Sequence, residues 1–233
     1  MNLPPQQKVM NILLRDEYSF DNFFNGPNDA LVYGLKQWIA GEGHWFICLS
    51  GHEGSGRSHL LQAACLQLEK NQQTAIYLPL LELRELSPDI LQGLETLGHV
   101  CIDDIEAITG NTLWEEALFH FYNKLLACGG RLLVTSKIKP TELNLHLADL
   151  KSRLNAGITY KLHELSDEDK KSVLKLRAKN RGFELSDEVA RYIIGRANRT
   201  LPALMRVLDT LDQSSLESKR KITVPFVKHV MDW

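Results

Sequence analysis

The chain has little cysteine, little charge imbalance and no long apolar run, and each shortage closes off a class of function. Its 233 residues hold four cysteines, Cys48, Cys65, Cys101 and Cys128, with no C-x-x-C pair and no Cys/His group at the spacing of a zinc site. A zinc module and a disulfide scaffold are therefore excluded. All four cysteines fall in apolar strand or helix patterns, so they are expected as reduced core residues of a cytoplasmic protein. Lysine and arginine number 27 against 29 acidic residues, a formal charge of −2, so no global basic bias points to nucleic acid. No stretch is apolar enough to span a membrane, and the N-terminus lacks the long apolar core of a secretory signal. Internal repeats and low-complexity tracts are absent too.

What is present is a chain able to bury a real core, with 44% apolar residues. Up to about His163 it alternates strands with helices. Apolar runs predict strands at Trp45–Ser50, Thr74–Pro79, Gly98–Asp104, Arg131–Ser136 and Gly157–Leu162. Helical spacing follows the first of them, at Leu60, Leu61, Ala64, Cys65 and Leu68, and recurs from Trp114 to Ala127. Residues Leu81 to Leu97 leave room for one helix. This alternation predicts a parallel sheet covered by helices. The pattern then changes. Ser166 and Ser186, each followed by acids, mark helix starts, with helices running to about Asn180 and Arg196. Leu201–Leu211 and Val224–Met231 suggest two more. The expected organisation is a tail over 1–17, an α/β nucleotide-binding domain over 18–163 and a small all-helical lid domain over 164–233.

The chemistry concentrates at Gly51-His-Glu-Gly-Ser-Gly-Arg-Ser58, which follows a predicted strand and opens a predicted helix. It matches the phosphate-cradling pattern G-x-x-x-x-G-K-S/T at every fixed position but one, with Arg57 in place of lysine. Gly51, Gly54 and Gly56 let backbone N–H groups turn inward as an anion nest, to which the following helix adds its positive end. Ser58 offers a hydroxyl to a magnesium ion. Arginine keeps the positive charge of lysine but is longer and planar, which raises the question of whether the chain hydrolyses what it binds. Downstream, an apolar strand ends in Asp103 and Asp104. In nucleotide hydrolases an acid here holds magnesium, directly or through water, so Asp103 takes that role and Asp104 is placed to polarise a water. Without the glycine loop, both acids would read as solvated strand ends.

These residues carry a family resemblance. The segment Tyr18-Ser-Phe-Asp-Asn-Phe23 with Gly26 and Asn28, the loop from Gly51 through His59-Leu60, Ile102-Asp-Asp-Ile105, Thr135-Ser136, and Leu150-Lys-Ser-Arg-Leu154 with Gly157 together resemble the AAA+ module of the bacterial replication initiator DnaA. The likeness spans nearly the whole chain from Tyr18 on. The chain stops soon after the lid helices, where the initiator continues into a DNA-binding domain, and 81–97 has little room for the initiator's extra helices. In both respects, in Arg57-Ser58 and in Lys221-Ile-Thr-Val-Pro-Phe-Val-Lys228, it is similar to the Hda family of DnaA-inactivating regulators.

That resemblance implies roles. Arg153 matches an arginine finger acting in trans on a neighbouring subunit's nucleotide; judged alone, it would pair with Asp149 on a solvated helix. Thr135 and Ser136 match the polar sensor beside the γ-phosphate, with Ser136 and Asp104 counted in the catalytic set. The nucleotide site would comprise Phe23, Asn28, Gly51, Glu53, Gly54, Ser55, Gly56, Arg57, Ser58, His59, Thr135 and Arg199, with Ser58 and Asp103 on Mg2+. ADP is the expected ligand, ATP or another nucleoside diphosphate being left open. The lid arginine of the initiator aligns with Pro202 here, flanked by Arg199 and Arg206, which fits weak or dispensable hydrolysis by the chain itself. The tail residues Gln7, Met10 and Ile12 fit a degenerate sliding-clamp-binding peptide, although a flexible tail packing on the body would show the same residues. The implied partners are DnaA and the clamp, with DNA reached only through the clamp and homo-oligomerisation left open. Two other functions compete: a helicase-loader-like or other DNA-binding AAA+ ATPase, and a stand-alone NTPase or nucleotide kinase.

Overall fold

The computed structural model describes residues 18–233. They form two compact units, one holding residues 18–23 and 28–163 and the other residues 164–233 together with 24–27.

In the first unit, strands β1 (Phe46–Ser50), β2 (Ala75–Pro79), β3 (His99–Asp103), β4 (Arg131–Ser136) and β5 (Ile158–Lys161) form one five-stranded sheet in the order β2-β3-β4-β1-β5. All four pairings are parallel. Strand side chains alternate between faces, and the alternation builds two cores. Phe46, Cys48, Val100, Ile102, Leu132 and Val134 face one core. Ile47, Leu49, Cys101 and Leu133 face the other. Helices α1 (Asp29–Ile39) and α2 (Arg57–Lys70) cover the second face. Helices α3 (Leu80–Leu83), α4 (Thr112–Ala127) and α5 (Ala148–Asn155) cover the first. Burial on both faces explains why the central strands read as continuous apolar runs. The β1–β4 register places Ser50 against Ser136, so the carboxyl ends of these strands lie side by side. In an open α/β sheet, the crevice beyond such ends is where ligands bind.

Three readings change. Residues 81–97 do not form one helix. After α3 come two 3-10 turns, Pro88–Leu91 and Leu94–Thr96. The Ser87 hydroxyl caps Asp89 N–H ahead of Pro88, and Gly93 adopts φ 83°, so the segment is broken twice. Cys128 is exposed at the end of α4 rather than in the core, unlike the other three cysteines. Helix α1 was not foreseen, though Leu31, Val32, Leu35, Trp38 and Ile39 give it a buried face at helical spacing.

The second unit contains α6 (Asp167–Asn180), α7 (Asp187–Arg196), α8 (Leu201–Ser218) and α9 (Val224–Met231). Ser166 and Asp169 form a reciprocal capping box at the start of α6, and Ser186 and Thr223 cap α7 and α9. Pro202 sits in the first turn of α8, where a missing N–H costs nothing. The buried faces meet in one apolar core that includes Leu174, Ile193, Leu204, Leu208 and Val227.

Candidate functional site

The site grows from the end of β1. Gly51 N–H donates to the Ser136 carbonyl at 3.1 Å, and Leu162 N–H donates to the Ser50 carbonyl at 2.7 Å. These bonds pin the loop base between β4 and the end of β5. Gly54 and Gly56 have φ 75° and 99°, in the left-handed region. A Cβ on Gly56 would lie 2.8 Å from the Phe23 ring, and one on Gly51 would lie 2.7 Å from Ser55 Oγ. Glycine is therefore favoured at Gly56 by backbone as well as space, and at Gly51 by space alone. Gly56 supplies no side-chain cap to the 14-residue α2, whose first N–H groups are left to another acceptor.

Several polar atoms around this loop are buried without a hydrogen-bond partner: Ser55 Oγ, Arg57 Nη1, Ser136 Oγ and both carboxylate oxygens of Glu106. Native proteins leave few such atoms, and a cluster of them calls for an explanation in strain, ordered water or a ligand. Arg57 is 6% exposed; its Nη2 donates to Asp104 Oδ1 at 3.1 Å and its Nη1 stands 3.7 Å from Glu106 Oε1.

The acids behind the loop form a connected network. Asp103 is buried and accepts hydrogen bonds from Tyr77 Oη at 2.7 Å and from the Thr135 hydroxyl. Gln62 Nε2 in turn donates to Tyr77 Oη at 3.3 Å. Thr135 Oγ1 also accepts from Asp104 N–H at 2.9 Å. Asp104 adopts the left-handed conformation, φ 53° and ψ 58°, which aspartate enters more readily than most residues with a side chain. Burial raises its carboxyl pKa and the neighbouring Asp103 adds to the rise, which Arg57 opposes without cancelling. Burial likewise drives the Tyr77 phenol upward, reinforced by Asp103, and pushes the Cys48 thiol up to about 12.

An aromatic corner closes one side. His59 Nε2–H donates to the Ser19 carbonyl at 2.8 Å, and its ring lies 5.0 Å from Tyr18 and 5.4 Å from Phe23.

The structure thus brings together Phe23, Gly51, Gly54, Ser55, Gly56, Arg57, His59, Asp103, Asp104, Thr135 and Ser136. Ser58 lies half-buried in the first turn of α2 and Glu53 is exposed at the loop tip. The Asn28 amide is committed to backbone: Oδ1 accepts from His163 N–H at 2.8 Å and Nδ2 donates to the His163 carbonyl at 3.5 Å. Of the sensor pair, Thr135 spends its hydroxyl on the acids, and Ser136 has the buried hydroxyl without a partner. Both Asp103 oxygens accept from hydroxyl donors, Oδ2 from Tyr77 and Oδ1 from Thr135. No group of three or more metal-ligating side chains occurs among the described residues. Arg153 is exposed on α5 and has no ion pair with Asp149. Arg199 belongs to the helical unit, 64% exposed and paired with Asp167 at 3.1 Å. Gln7, Met10 and Ile12 lie outside the described residues.

Sequence reasoning missed Tyr77, Gln62 and Glu106. Tyr77 reaches Asp103 only because β2 pairs with β3, which spacing alone does not reveal. Glu106 carried a readable signal, the acidic run Asp103-Asp-Ile-Glu106.

Known proteins align with this geometry. Residues 167–231 match the family model described as the Hda lid domain, and residues 88–161 match that of the bacterial DnaA ATPase domain. Domain III of the Thermotoga maritima replication initiation protein DnaA superposes with a TM-score of 0.84 at 22% identity, covering 94% of this chain and 98% of that one. AMPPCP-bound DnaA from Aquifex aeolicus gives 0.71 at 23% identity, over 89% and 70% of the two chains. The Thermotoga maritima RuvB Holliday junction branch migration motor gives 0.71 at 21% identity, over 92% and 71%. At these identities the superpositions establish a shared fold. No helix among the described residues is long and apolar enough to cross a membrane.

Proposed function

We propose that this chain, which belongs to the Hda family of DnaA-related AAA+ proteins, is a nucleotide-bound negative regulator of DNA replication initiation. In this reading it docks on the DNA-loaded sliding clamp and promotes hydrolysis of the ATP held by DnaA, supplying Arg153 in trans. The observation that carries the reading is the succession, within one chain, of a DnaA-type ATPase match and an Hda lid match.

The residues fit a bound nucleotide. The loop has glycines where a Cβ would collide, an uncapped helix start, and partnerless buried atoms on Ser55, Arg57 and Ser136. Gly54 to Ser58 would hold the phosphates and Phe23 with His59 the base side. Magnesium would sit on Ser58, reached by Asp103 through water. ADP is the favoured ligand, because Arg57 keeps a positive charge for a β-phosphate while its planar head suits a crowded γ-phosphate poorly. The bound nucleotide supplies the negative charge that these groups are arranged to receive.

Hydrolysis by the chain itself should be weak. Asp104, the group that would polarise a water, is engaged by Arg57, and its raised pKa reports an environment unfavourable to the carboxylate. Arg153 contributes differently. A guanidinium placed beside a partner's transferring phosphoryl group can accelerate it by about 10³–10⁵. Its exposure on α5, free of Asp149, leaves it available to a second protein.

The test combines the chain with clamp, DNA and ATP-loaded DnaA and follows ATP turnover. Stimulation that requires the DNA-loaded clamp supports the regulator. Replacing Gln7, Met10 and Ile12 together by alanine should abolish both clamp capture and stimulation. Brisk turnover by the chain alone, with no effect on DnaA, would instead make it a stand-alone NTPase.

A further inference from the structure

We propose that Glu106 is a positioning residue for nucleotide binding: it helps hold the Arg57 guanidinium on the acidic strand end, so that a phosphate on the glycine loop must compete for it. This rests on the reading of the loop as a nucleotide site.

Arg57 stands at the motif position that faces phosphate, yet its guanidinium contacts Asp104 at 3.1 Å and Glu106 at 3.7 Å. The two acids hold it in different ways. Asp104 makes a hydrogen bond, with its backbone fixed in the left-handed conformation by Thr135. Glu106 makes none. Both its oxygens are buried and without a hydrogen-bond partner, and 3.7 Å is beyond donor–acceptor range, so it acts on Arg57 through charge alone. Its place is set by the turn after β3, where Ala107 N–H donates to the Asp104 carbonyl at 2.9 Å and the Thr109 hydroxyl donates to the Glu106 carbonyl at 2.7 Å.

The charge balance gives this contact its consequence. Asp103, Asp104 and Glu106 lie together, and Arg57 is the buried cation among them; Lys137 nearby is exposed. A buried carboxylate with no hydrogen bond is a costly arrangement, relieved here by the guanidinium alone. Turning Arg57 toward phosphate withdraws that relief from Glu106. The apparent affinity for phosphate is therefore reduced by the fraction of time Arg57 is released. Asp104 is the opposing candidate for this hold; its carboxylate makes a hydrogen bond to Arg57 at 3.1 Å, whereas Glu106 faces the guanidinium at 3.7 Å with both oxygens lacking a hydrogen bond.

A fluorescent ADP analogue titrated into the full-length chain tests this in four proteins: the parent, Glu106→Gln, Arg57→Ala, and the double variant. Thermal melting without nucleotide confirms that each is folded. Glu106→Gln should tighten binding by roughly three- to tenfold, corresponding to Arg57 being released a minority of the time in the parent. In the Arg57→Ala background the same change should have under about twofold effect, since nothing remains to be released. Glu106→Asp keeps the charge but shortens its reach, and should tighten binding by a smaller factor. Equal tightening in both backgrounds would make Glu106 a simple repulsive charge and overturn the proposal, as would unchanged affinity. Absence of binding by every variant would overturn the nucleotide site itself, and the proposal with it.

Discussion

The two units differ in what they bury. The sheet unit buries Asn28, Arg57, Gln62, Asp103, Glu115, Thr135 and Ser136, whereas among the described residues the helical unit buries apolar side chains and no polar or charged residue. Buried polar groups cost free energy unless their hydrogen bonds are made. Most are made: Glu115 accepts from Gly110 N–H and Leu147 N–H, both at 2.8 Å, and Asn28 clamps His163. Of the exceptions, Ser55 Oγ, Arg57 Nη1, Ser136 Oγ and both Glu106 oxygens lie at the glycine loop and its acids; the others, on Glu95, His99, Arg131 and Tyr192, are scattered singly. One unit is held by an apolar core, helix caps and surface ion pairs, while the other keeps an imperfectly satisfied polar cluster at the carboxyl end of its sheet. That asymmetry locates the chemistry.

Mutations in the two units should break for different reasons. The largest expected stability loss is in the helical core. Leu204 is 0% exposed, and Leu204→Ala should cost about 2–5 kcal/mol of unfolding free energy by lost burial and a cavity, measured in urea. Thr135→Val in the sheet unit should cost about 1–3 kcal/mol with little change in volume, because it deprives buried Asp103 of a donor and Asp104 N–H of its acceptor. Thr135→Ser, which keeps the hydroxyl, should recover most of the loss in the same urea experiment. A Thr135→Val protein as stable as the parent would mean that the network is not holding the acids.

Asp104 gives a pH signature. Its folded-state pKa is raised above the ordinary 3.8, so the folded chain holds this proton more tightly than the unfolded chain. Stability therefore falls as pH rises from 3.8 through the raised value, and is regained as pH falls back through it. Asp104→Asn removes that titration. Its melting temperature relative to the parent should rise across this window and level off above it. A difference independent of pH would contradict the burial argument. The smallest stability effect belongs to Arg153→Ala, within about 0.5 kcal/mol, because the side chain is exposed and has no ion pair with Asp149.

How far the sequence could be read follows the same divide. Capping serines with first-turn acids are local signals, so Ser166 and Ser186 marked the starts of α6 and α7 directly. Strand β5 at the sheet edge is largely exposed, but the central strands were legible because burial on both faces leaves apolar runs. The segment 81–97 was not, since a broken α3 and two 3-10 turns depend on Pro88 and Gly93 in a background without clear periodicity. At the site, the loop was legible as a motif, but the partners of its charges were not. Arg57 bonding to Asp104, and Tyr77 reaching Asp103, depend on strand order, which joins residues 47 and 26 positions apart.

The central claim is that Arg153 serves a partner's chemistry and not this chain's stability. ATP turnover by DnaA, with DNA-loaded clamp and either the parent chain or Arg153→Ala, tests it most directly. Melting and clamp capture of the same preparations serve as controls. The account predicts unchanged melting and capture with stimulation reduced by about 10³ or to background, and little recovery by Arg153→Lys, whose point charge cannot reproduce a bidentate fork. Full stimulation by the folded, clamp-bound alanine variant would contradict it.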